Sequence, residues 1–195
     1  MNDFLFDYAI YGLYFICGII AFIILRGIFK MSILLPHSNW NHLLDGFNFS
    51  TKEFYERLKK ELHSQGIKKV DSYYVLLKMG GIFSARRLYL RVEWKGFRYD
   101  ICAAPFGKGF FISWWLLYKN SVMKILIAKI PFVGTWLAKK WFPITYYKID
   151  SASMFMTYCQ SSVLKVIEDI TKESGTRALT EEQKNPLLNN VFTRK

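Results

Sequence analysis

The chain has 195 residues, 52% of them apolar, with 27 Lys and Arg against 15 Asp and Glu for a net charge of +12. That size excludes several large domains, the apolar fraction excludes a disordered polyelectrolyte, and three cysteines without C-x-x-C spacing exclude a disulfide framework. The charge is uneven: residues 51 to 148 hold 19 basic side chains against 6 acidic ones, while residues 149 to 195 hold 6 of each. A surface of that sign attracts anionic lipid headgroups or nucleic acid.

The first element is the stretch "YAIYGLYFICGIIAFIILRGIFK" at residues 8 to 30, uncharged from Tyr8 to Leu25. Eighteen such residues reach the length of a helix that crosses a hydrocarbon core. The acidic start (Asp3, Asp7) and basic far flank (Arg26, Lys30) do not suit a cleaved leader, so an uncleaved anchor over residues 1 to 30 is expected. Positive charge after the span and none before it predicts the amino terminus outside and the remainder in the cytoplasm, at the inner (cytoplasmic) membrane. At about 100° per residue, Asp7, Tyr11, Tyr14, Gly18, Ala21 and Leu25 fall near one line of this helix. A polar and small stripe of this kind needs a protein or water neighbour, and self-association supplies one; a ring of such helices with the stripe inward is a pore. The other reading is a passive anchor with interfacial tyrosines.

Residues 31 to 50 mix Pro36, Asn39, Asn41, Gly46 and Asn48 with scattered apolar side chains and predict a juxtamembrane linker. Ser50 and Glu53 form a capping box ahead of Phe54, Leu58 and Leu62, which predicts a short amphipathic helix ended by Gly66. Alternation in "RRLYLRVEW", a Lys95–Gly96 turn and "FRYDICAAPF" predict a hairpin. With "DSYYVLLKM" before it and "FFISWWLL" after the Gly107 and Gly109 turn, a four-stranded antiparallel meander with helices on one face follows. Residues 121 to 143 are long enough for a second span. However, Lys124 and Lys129 lie inside the run and Pro131 interrupts it, so a kinked, shallow arrangement is expected, with Trp136, Lys139, Lys140 and Trp141 as interfacial anchors. The alternative is a buried helical hairpin of the domain. Phe155, Cys159, Val163, Val166 and Ile170 mark a closing helix, and residues 174 to 195 read as a mobile tail. The fold class is thus α+β: one N-terminal transmembrane helix, then a small antiparallel-sheet domain flanked by helices over residues 51 to 173.

No catalytic triad, phosphate loop, metal spacing or paired catalytic carboxylates occur, so neither metal nor cofactor nor small-molecule substrate is expected. "RLKKELH" does place Arg57 and His63 with five residues between them, an R-x5-H spacing that resembles the ribonuclease motif of the HEPN superfamily. On a regular helix those side chains point about 120° apart, which argues against joint catalysis. One N-terminal span, a basic cytoplasmic domain and the Arg57/His63 pair together resemble the pore-forming accessory membrane proteins of type VI-B CRISPR loci. The resemblance implies a homo-oligomeric pore that contacts membrane lipids and makes the inner membrane leaky, enhancing antiviral defence by an RNA-guided, RNA-cleaving CRISPR effector. It also implies that the HEPN-like pair need not be a working nuclease. Two other readings stay open: a membrane-tethered RNA-binding protein or HEPN-like ribonuclease, and a membrane scaffold that recruits a partner.

Overall fold

A computed structural model describes residues 14–24, 26–27, 31–78, 86–143 and 145–188. The chain divides into two compact units, one formed by Met1–Ile33 with Asn120–Pro143 and the other by Leu34–Lys119 with Ile144–Lys195. The described elements are helix α1 (residues 14–24 and 26–27), β1 (Ser32–Leu44), α2 (Thr51–Ser64), β2 (Asp71–Lys78), β3 (Arg86–Trp94), β4 (Phe97–Phe106) and β5 (Gly109–Ser121). They continue as α3 (Val122–Ala128), α4 (Gly134–Trp141), α5 (Tyr146–Glu173), a 3-10 turn (Glu182–Lys184) and β6 (Leu187–Leu188).

The larger unit is an α+β layer. Its sheet runs β2-β3-β4-β5-β1-β6, with antiparallel pairing along the meander. Lys95 and Gly96 both take positive φ (46° and 85°), the requirement of the two-residue turn whose twist matches the flanking strands. The register sets Val92 opposite Tyr99 and Leu90 opposite Ile101, and Ile101 in turn opposite Trp114, so the apolar half of each alternating pattern lies on one face. That face joins Phe54, Leu58 and Leu62 of α2 and Phe155, Cys159, Val163 and Ile170 of α5 in one buried cluster. Side chains of this size contribute about 1.5 to 3 kcal/mol each when fully buried. Ser50 caps α2 by accepting from the Glu53 amide, as the capping box requires.

Tyr55 ties α2 to the sheet through its hydroxyl, which accepts from the Ala103 amide and donates to the Leu88 carbonyl, both at 2.9 Å. Helices α2 and α5 run antiparallel, zipped by Arg57–Glu173, Glu61–Lys165 and Gln65–Ser162.

Two segments differ from the sequence reading. Residues 32 to 44, expected as linker, form strand β1, whose Trp40 and Leu44 enter the core. Within the expected tail, the described residues 174 to 188 pack against the sheet unit. Trp40 Nε1 donates to the Gln183 carbonyl (2.6 Å), Ser38 Oγ to the Leu187 carbonyl (2.9 Å) and Gln160 Nε2 to the Lys184 carbonyl (2.7 Å), while Leu187 and Leu188 pair with β1. The acceptors are all main-chain carbonyls, which leave no residue-type signature. The meander is accordingly extended at one edge by β1 and β6 rather than ending at β5.

The smaller unit contains α1, α3 and α4. Among the described residues no helix is long and apolar enough to cross a membrane. The span expected at residues 8 to 25 lies partly outside the described residues, Asp7 and Tyr11 of its stripe included.

Candidate membrane-contacting surface

Helix α1 carries bulky apolar side chains over most of its circumference and is exposed on every side from residue 14 to 24. Tyr14 and Phe15 are each 71% exposed, and Ile16, Ile19, Ile20, Phe22, Ile23 and Ile24 are exposed as well. A helix that is hydrophobic all round belongs in a core or in lipid. On the stripe, Tyr14, Gly18 and Ala21 are described and exposed. A Cβ added at Gly18 meets nothing within 4 Å, so the missing side chain is not required by packing in the single chain.

Residues 121 to 143 fold as two short helices, α3 and α4, joined by a tight bend at Pro131. Only part of this hairpin is buried, chiefly Ile127 and Ala138. Trp136 and Trp141 are 59% and 60% exposed, Lys129, Lys139 and Lys140 are exposed, and Lys124 is half-buried. The Lys140 ammonium sits 5.0 Å from the centre of the Trp136 ring. This is the pairing of aromatic body and charged head that suits a membrane interface. The sequence did not single out Ile130, Phe132 and Val133, also exposed. The signal was legible in "IPFVG", a Pro/Gly turn carrying bulky apolar residues where turns ordinarily carry polar ones.

The Arg57/His63 pair is not brought together by the fold. Arg57 places its guanidinium on Glu53 (2.7 Å) and, through two bonds of 2.7 and 2.8 Å, on Glu173, with Phe49 beneath it at 5.5 Å. Glu173 is held below the usual carboxylate range by the Arg57 hydrogen bonds, and Arg57 is pushed further up by Glu173 and then Glu53. His63 lies toward the other end of α2, where it borders a small cavity with Leu62, Ile67, Val70, Ser72 and Tyr158. Arg57 therefore works as a clamp between α2 and the end of α5.

On the sheet face opposite the helices, Arg91 makes a two-pronged pair with the buried Asp100 (2.7 and 2.8 Å), and Arg98 and Lys119 converge on Glu93. Basic side chains committed to carboxylates in this way have less to offer a phosphate backbone. Two open cavities of about 310 and 430 Å³ flank Ala178–Leu179, the first bordered by His42, Asp45, Thr171, Arg177 and Gln183. Burial lowers the His42 imidazole below its usual value. Among the described residues no group of His, Cys, Asp and Glu could hold a metal ion. Comparison with protein-family models, curated proteins and solved structures finds no match to this chain.

Proposed function

We propose that this protein is a homo-oligomeric membrane pore or permeability effector, anchored in the inner membrane by residues 8 to 25, which disturbs that membrane in support of RNA-guided CRISPR antiviral defence. The observation that carries the reading is the exposure of α1: a bulky apolar surface over most of its circumference, interrupted by the Tyr14, Gly18 and Ala21 stripe. Lipid covers the bulky sides, and neighbouring copies cover the stripe. The resemblance to the type VI-B accessory proteins supplies the RNA-guided partner and the physiological setting. A tethered ribonuclease has less support, since the Arg57 guanidinium is already committed to Glu53 and Glu173.

Replacing residues 8 to 25 with a leucine-rich span of equal length keeps hydrophobic length, flanking charge and orientation but removes the stripe. In cells carrying the RNA-guided partner, the replacement is expected to abolish membrane depolarisation and phage protection while membrane localisation persists. Full protection by the leucine-rich version would instead make this segment a tether.

A further inference from the structure

We propose that the α3–α4 hairpin is a second membrane-contacting element, separate from residues 8 to 25, which docks on an anionic lipid surface with Phe132 as its inserted tip. Phe132 stands at the apex of the bend, fully exposed (105%), with φ at +64°. A bulky non-glycine residue rarely takes that conformation, and it persists only where the surroundings over-determine it. Here they do. The Val133 amide donates back to the Pro131 carbonyl at 2.8 Å, and the Gly134 amide to the Ile130 carbonyl at 3.0 Å. Gly134 packs so closely on the Ile127 carbonyl that a Cβ would have no room, so the two helices brace the bend from both sides. The chain thus holds the most exposed aromatic side chain among the described residues in a hydrogen-bonded turn.

On either side of that tip in the sequence, Leu126, Ile130, Val133 and Trp136 are also exposed. An exposed cluster of such side chains marks an interaction surface, and its charge selects the occupant. From Asn120 to Pro143 there are four lysines and no acidic residue. The seven residues of α3 and eight of α4 give helices of roughly 10 and 12 Å, far short of the hydrocarbon thickness of about 30 Å, so the hairpin lies in the interface instead of crossing it. Apolar tip, exposed tryptophans and the exposed Lys129, Lys139 and Lys140 match an anionic headgroup layer over an acyl-chain boundary.

The test uses the full chain with Cys17→Ser, because Cys102 and Cys159 are buried, and an environment-sensitive fluorophore attached through Phe132→Cys. A parallel version labelled through Val133→Cys covers the case in which a label at the apex disturbs the turn. In vesicles of phosphatidylcholine with phosphatidylglycerol, we expect quenching by acyl-chain spin labels and shielding from aqueous iodide by about threefold or more. Shielding should weaken in pure phosphatidylcholine and when Lys129, Lys139 and Lys140 are changed to Glu. A label attached through Phe106→Cys, on the exposed β4–β5 end of the other unit, should stay open to iodide. Full iodide access at positions 132 and 133 in anionic vesicles would overturn the proposal. So would shielding that follows protein concentration in detergent without lipid, which would assign the surface to a second copy. Carbonate extraction of the same samples reads insertion of residues 8 to 25 separately, so failure of either element is distinguishable.

Discussion

The two units use the same kinds of side chain to opposite ends. In the sheet unit, Phe54, Tyr99, Trp114 and Phe155 are almost completely buried and close a core between the sheet and two helices. In the smaller unit, Phe15, Phe22, Phe132, Trp136 and Trp141 are exposed, with short helices that bury little between them. The difference separates apolar surface that is covered within the single chain from apolar surface left exposed, which the proposed function assigns to lipid or another copy.

The sharpest way to break that contrast is to remove a charge from inside the sheet unit. Asp100 is buried and its partner Arg91 nearly so, facing each other across β3 and β4. Arg91→Ala leaves a buried carboxylate without its counter-ion, expected to cost about 3 to 5 kcal/mol. Amide hydrogen exchange along β3 and β4 reads this directly, while exchange in α3 and α4 should be unchanged. A smaller effect is expected from Tyr55→Phe, which removes the hydroxyl shared by Ala103 and Leu88 and leaves a buried amide unsatisfied, at a cost of about 1 to 3 kcal/mol. Urea unfolding of the two variants ranks them; a Tyr55→Phe protein as stable as the original would mean that water replaces the hydroxyl. The smallest effect belongs to the other unit. Trp136→Ser with Trp141→Ser should change the unfolding of the sheet unit by no more than about 0.5 kcal/mol, since exposed side chains carry little of the folded-state balance. A large loss there would show that these tryptophans are packed, not presented.

The meander was legible because its signals are local: strict alternation in β3, a Lys-Gly turn with the right handedness, and a capping box before α2. Strand β1 was not legible. Its Pro36, Asn39 and Asn41 mimic a linker, and what makes it a strand is the neighbouring β5 and the C-terminal segment, both distant in sequence. The order of residues 176 to 188 was hidden for a related reason, since Trp40, Ser38 and Gln160 reach main-chain carbonyls that any residue would supply. For the HEPN-like pair, spacing on α2 already separated the two side chains. The competing claim of Glu173 on Arg57 could come only from the packing of α5. Trp136, Lys139, Lys140 and Trp141 are exposed, whereas the exposure of Phe132 is masked in sequence by the helix-breaking Pro131 beside it.

The stripe on α1 is the point on which the functional reading stands, and Gly18 offers its cleanest test because a larger side chain meets no obstacle within the single chain. The measurement is ion flux from vesicles loaded with increasing amounts of the purified full-length protein, original and Gly18→Leu, with insertion checked in each sample. A conduit built from several copies predicts flux that rises more steeply than in proportion to loading and is lost in Gly18→Leu although the protein still inserts. Flux that stays absent at every loading, or that rises in simple proportion and is untouched by Gly18→Leu, would contradict a pore lined by this helix.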